Sequence, residues 1–170
     1  MEKEMQFILK SGKMFGALML MIVSLSVTAQ QAETVKLGRI QDKINTASNK
    51  IQIINFWATW CAPCVKEMPL FENLTATNSD VEVTLVSIDL DLDPDPEKVY
   101  RFISRKKLKS TVWILDEKDP NSWIDKIEKS WSGAIPATLL VNTQTGQRKF
   151  VERQLGEGDL ERLIDELKSK

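Results

Sequence analysis

The run Ile51-Gln52-Ile53-Ile54-Asn55-Phe56-Trp57 constrains this chain more than any other segment. It is almost continuously apolar and carries no alternation of buried and solvated positions. Such a strand is buried on both faces, so its sheet needs a layer on each side. It leads directly into Ala58-Thr59-Trp60-Cys61-Ala62-Pro63-Cys64, and then into Val65-Lys66-Glu67-Met68-Pro69-Leu70-Phe71, which reads as part of a helix over about 62–77.

Elements on either side extend the same pattern. Ile40, Ile44 and Ala47 recur at helical spacing, which predicts a short helix near 38–47 after a mobile lead over 30–36. Val81–Ile88 reads as a second strand, and Asp89–Glu97 as an acidic loop. The aspartates of that loop do not form a calcium hand, because Pro94 or Pro96 stands where such a loop needs glycine. Asp95 with Pro96 instead starts a helix to about Lys107, and Asp119 with Pro120 starts another through about Trp131. Thr111–Leu115 and Ala137–Asn142 are strands, and Asn142–Gln147 is a turn that returns Lys149–Gln154 antiparallel. A last helix, Asp159–Lys168, puts Leu160, Leu163, Ile164 and Leu167 on one face. The order predicts one α/β domain, a layered sandwich with a mixed central sheet flanked by helices.

Cys61 and Cys64 are the only cysteines of the chain. A Cys-x-x-Cys between strand and helix reads as a redox-active dithiol. The helix N-terminus favours thiolate at the first sulfur, and thiolate is the nucleophile of disulfide exchange. Cys61 is therefore the expected attacking group and Cys64 the resolving one, with no cofactor required. Half of a zinc site is the first rival reading, but the chain has no histidine and no third cysteine to complete one. A structural staple is the second, but so short a loop removes little chain entropy.

The segment 51–71 resembles the active-site strand and helix of the thioredoxin superfamily. Asn55-Phe56-Trp57-Ala58-Thr59-Trp60-Cys61-Ala62-Pro63-Cys64 with Glu67-Met68-Pro69 is most similar to its exported TlpA/ResA branch. Gly133-Ala134-Ile135-Pro136-Ala137-Thr138 resembles the superfamily's cis-proline loop. The resemblance covers roughly residues 36–168 and implies a thioredoxin-like three-layer sandwich. It implies a cis Ile135–Pro136 bond, with Ile135 offering its backbone to a substrate strand and Pro136 guarding the sulfurs. Trp57 and Trp60 are expected to frame the site with apolar surface, Trp57 having the alternative of a core residue. Ala62 and Pro63 form the rest of the substrate-facing motif. They add no side-chain donor, so the dithiol is expected to be reducing. Thioredoxin carries a buried aspartate where this chain has Asn55. Glu67 matches a glutamate that sits near the thiols in the ResA branch, and it is the expected proton acceptor for the resolving thiol. Its alternative is an ordinary exposed helix glutamate.

Residues 1–29 read as a signal peptide and residues 30–170 as the domain. Lys3, Lys10 and Lys13 precede an apolar run shorter than a membrane span, and Val27-Thr28-Ala29 suits cleavage before Gln30. An uncleaved membrane anchor is the alternative. Either way the domain is expected outside the cytoplasm, in a periplasmic or similar compartment. With 23 basic and 24 acidic side chains, the chain shows no basic face for nucleic acid. The expected activity is reduction of protein disulfides, with apocytochrome c among the candidate substrates. The resemblance implies a membrane thiol carrier as electron donor. An oxidase or isomerase, and a peptide-binding module with an idle dithiol, are the alternatives. The oligomeric state is left open.

Overall fold

The computed structural model describes residues 32–169. The expected signal peptide lies outside the described residues. Within them, no helix is long and apolar enough to cross a membrane.

The elements in chain order are β1 (Glu33–Val35), α1 (Leu37–Asn45), β2 (Ile51–Trp57), α2 (Ala62–Thr77), β3 (Val81–Ser87), α3 (Glu97–Lys106), β4 (Thr111–Leu115), α4 (Ile124–Ile127), β5 (Ala137–Asn142), β6 (Gln147–Val151) and α5 (Asp159–Lys168). The strands form one sheet in the order β1-β4-β3-β2-β5-β6. The first four of that order are parallel neighbours, and β5 and β6 join antiparallel. This is the mixed sheet flanked by helices that the element order predicts.

Strand β2 lies between β3 and β5, and every residue of it is buried. Its register sets the geometry of the site. Trp57 at its end pairs with Ser87, and Phe56 pairs with Ala137 at the start of β5. The loop leaving β2 therefore meets both the loop leaving β3 and the loop entering β5. Helix α5 buries Leu160, Leu163, Ile164 and Leu167, the face its spacing predicts.

Three expectations need correction. The lead over 30–36 is not mobile throughout: Glu33–Val35 forms edge strand β1, with Val35 paired to Leu115. Three residues are too few to show an alternation in sequence, but Ala32 and Val35 are buried. The helix expected over 119–131 is broken. Asp119 does cap it, its carboxylate accepting from the Asn121 N–H at 3.0 Å, but only a 3-10 turn over Pro120–Ser122 and the short α4 form. The reason is aromatic burial. Eight residues of α-helix advance about 12 Å, whereas the rings of Trp123 and Trp131 lie 5.3 Å apart and both pack on Phe56. The chain must double back to bring them together. Finally, β6 starts at Gln147 rather than Lys149, because the tight Asn142–Gly146 turn lets pairing begin at once, Asn142 opposite Gln147.

Candidate active site

Cys61 sits immediately before α2 and serves as its N-cap, its Sγ accepting from the Cys64 N–H at 3.3 Å. A sulfur there faces N–H groups that have no partner within the helix. Pro63 in the first turn therefore costs no helical hydrogen bond. The two sulfurs are joined as a disulfide, with the Cα atoms 5.3 Å apart. Cys61 keeps 5% of its surface exposed and Cys64 only 1%, so Cys61 is the sulfur open to a partner. Ala62 and Pro63 are exposed beside it, and Trp60 is half exposed. Trp57 does not frame the site. It is fully buried and packs on Phe102 with ring centroids 5.1 Å apart, which makes it a core residue.

The loop entering β5 comes in from the other side. The Ile135–Pro136 bond is cis. Pro136 is buried and Ile135 half-buried, and the Ile135 carbonyl oxygen lies 3.8 Å from Cys61 Sγ. Two segments far apart in sequence thus close one site.

Glu67 lies one helical turn beyond Cys64, on the same side of α2. It is no exposed helix residue: only 1% of its surface meets solvent. Burial pushes its carboxyl up to about 7, although the Leu155 N–H, the Asn55 amide and the charge of Arg153 oppose the change. The Leu155 N–H donates to Oε2 at 2.6 Å, and Asn55 Nδ2 donates to Oε1 at 2.9 Å. Asn55 Nδ2 also donates to Thr138 Oγ1 at 3.0 Å, which ties β2 to β5. Asn55 therefore holds the glutamate in place. The sequence marks it only as a position without a carboxylate, and its one signal is a polar side chain inside an apolar strand.

Asp89 was missed. It reads from sequence as the first residue of an acidic loop, yet it is 1% exposed. Its carboxylate accepts from the Thr59 N–H at 2.9 Å, the Thr59 hydroxyl at 2.5 Å and the Ser87 hydroxyl at 2.8 Å. Together with the Cys61 N–H donating to the Ala58 carbonyl at 3.1 Å, this fixes the turn that carries Cys61. The available signal was its place directly after a buried strand.

The Redoxin family model matches residues 27–155. The chain is 39% identical to thioredoxin-like protein YneN of Bacillus subtilis (strain 168) over 54 residues, 30% of this chain and 32% of YneN. That stretch spans about a third of the relative's length. Over a longer span it is 22% identical to the thiol-disulfide oxidoreductase ResA of Geobacillus kaustophilus (strain HTA426), covering 86% of this chain and 79% of ResA. Among solved structures, a thioredoxin-related protein from Neisseria meningitidis serogroup B superposes with a TM-score of 0.63 at 20% identity, over 74% of this chain and 90% of that one. At that identity the likeness shows a shared fold.

Proposed function

The chain belongs to the Redoxin family, as a TlpA/ResA-like member of the thioredoxin superfamily, and on that premise we propose that it is an exported thiol:disulfide oxidoreductase that reduces disulfides in other proteins. The observation that carries this reading is the Cys61–Cys64 disulfide at the N-terminus of α2, with the Ile135 carbonyl oxygen 3.8 Å from Cys61 Sγ.

In the reduced protein the Cys61 thiolate attacks one sulfur of a substrate disulfide. The substrate S–S bond breaks, the other substrate sulfur leaves as a thiolate, and Cys61 is joined to the sulfur it attacked. Cys64 then gives its proton to the Glu67 carboxylate and attacks Cys61 Sγ. The mixed bond breaks, the second substrate thiolate leaves, and two electrons have passed to the substrate. A carboxyl titrating near 7 alternates between its two forms at neutral pH, which suits it to hold that proton. Trp60, Ala62 and Pro63 offer apolar surface around the attacking sulfur, and the Ile135 backbone pairs with the substrate chain. A membrane thiol carrier returns the electrons, and apocytochrome c thiols are one candidate target.

The test is insulin reduction with dithiothreitol as the electron source. The protein should accelerate it catalytically, and Cys61→Ser should abolish the acceleration. No acceleration by the unaltered protein would leave a peptide-binding module with an idle dithiol. Export is supported by the basic start, the apolar run and Val27-Thr28-Ala29. N-terminal analysis of the extracytoplasmic protein should then begin at Gln30, and an intact Met1 in the membrane fraction would indicate an anchor.

A further inference from the structure

The cis-proline loop is held by a carboxylate that lies far from it in sequence. Glu152 follows β6, and its two oxygens accept from the Ser132 N–H at 3.2 Å, the Ala134 N–H at 2.9 Å and the Ser132 hydroxyl. Gly133 between the two amides has φ +95, a backbone conformation that turns the flanking N–H groups toward one side. Such a concave row of amides is an anion nest. Here the chain's own carboxylate fills it. Those hydrogen bonds hold the Glu152 carboxyl below the usual carboxylate range, outweighing a desolvation that acts the other way.

The other polar group of Ala134 is fixed as well. Trp131 Nε1 donates to the Ala134 carbonyl at 2.8 Å. Trp131 is itself buried against Phe56, Trp123 and Phe150. Ala134, the residue before Ile135, is therefore held at its N–H by Glu152 and at its carbonyl by Trp131 of the aromatic cluster. Ile135 itself is different. Among the described residues its N–H donates to no group, and its carbonyl oxygen has only Cys61 Sγ nearby, at 3.8 Å.

We propose that Glu152 is a positioning residue for substrate. By filling the nest over 132–134 it orients the free N–H and carbonyl of Ile135 for pairing with the extended, disulfide-bearing segment of a protein substrate. This rests on the oxidoreductase reading. The class of substrate it selects is a disulfide within a polypeptide backbone, as opposed to a small disulfide that has no chain to pair.

The experiment compares insulin with a small disulfide, cystamine, under dithiothreitol recycling. Losing a well-oriented backbone pair is worth about five- to tenfold in binding. Glu152→Ala should raise KM for insulin by about that factor and leave kcat within about twofold. Its rate with cystamine should stay within about twofold of the unaltered protein, because no backbone pairing is involved. Ser132→Ala keeps the Ala134 contact and should show the same split at about two- to threefold. Equal losses on both substrates would mean general damage to the fold and would overturn the proposal. So would an unchanged insulin KM in either variant. If Glu152→Ala does not fold, the Ser132→Ala result decides alone. Failure of the unaltered protein to reduce insulin would overturn the oxidoreductase reading instead, and that result is distinct from any of these.

Discussion

Glu67 gives the most quantitative consequence of the structure. Its carboxyl titrates near 7 in the folded protein against an ordinary 4.5, chiefly because it is buried. In the unfolded chain it ionises normally. Between those two values the folded state therefore holds a proton that the unfolded state has released. For a group whose folded pKa is raised, the stabilising contribution is complete below 4.5 and is lost as pH rises to about 7. Each tenfold difference in proton affinity is worth about 1.4 kcal/mol, so the full loss is on the order of 3 kcal/mol. Glu67→Gln keeps the shape and removes the titration. Its carbonyl can accept from the Leu155 N–H, and a turned Asn55 amide can present its oxygen to the new NH₂ group. Urea unfolding of both oxidised proteins from about pH 4 to about pH 8 measures the effect. Carboxylates held low by their partners, such as Glu82 and Glu166, lose their contributions as pH falls instead. They act equally in both proteins and cancel in the difference. The unaltered protein should lose about 3 kcal/mol relative to the variant as pH rises through that range, and the difference should level off above about pH 7.5. A difference flat to within about 0.5 kcal/mol would refute the burial argument for Glu67.

The remaining expectations concern other parts of the site and the core. Limited alkylation of the reduced protein should label Cys61 well before Cys64, and Cys64→Ser should accumulate mixed disulfides with substrate; equal trapping by Cys61→Ser would contradict the assigned roles. Asp89→Ala leaves the Thr59 N–H without its acceptor and strips the Thr59 and Ser87 hydroxyls of theirs, so it should destabilise by about 2–4 kcal/mol in urea unfolding. A loss under about 0.5 kcal/mol would show that Asp89 does not hold the Thr59 turn. Leu163→Ala, within the buried face of α5, should cost about 2–5 kcal/mol in the same assay, and a smaller loss would mean that this helix packs loosely.

Long, strongly patterned elements were legible in the sequence, and short or aromatic-driven ones were not. Strand β2 announced itself because burial on both faces leaves no polar alternation. Helix α5 did so because four apolar positions fall on one face. Strand β1 has only three residues, and its pairing with β4 is a contact between distant segments that local periodicity does not record. The broken helix over 119–131 shows a local cap overridden by tertiary packing: the capping signal at Asp119 is correct, but burying Trp123 and Trp131 on Phe56 bends the chain after one turn. In the site, the Cys-x-x-Cys and the proline loop were readable because each carries its chemistry in consecutive residues. Asp89 and Glu152 were not, since each acts on a loop remote in sequence, Thr59 in one case and Ser132 to Ala134 in the other. Asn55 lies between these cases. The sequence marked its position, but its partnership with Glu67 appears only when β2 and α2 are packed together.

The reduction potential of the Cys61/Cys64 couple tests the central claim most directly. Equilibration of the protein with dithiothreitol or glutathione buffers, followed by alkylation and mass analysis of the two cysteines, gives the value. Ala62 and Pro63 supply no side-chain donor to hold the Cys61 thiolate, so on the proposed reading the reduced form should gain little stabilisation and the dithiol should be a ready electron donor. The account predicts a potential near the thioredoxin value of about −270 mV. A value near about −120 mV, that of a strong oxidant, would contradict a reductase and leave the same site working as an oxidase.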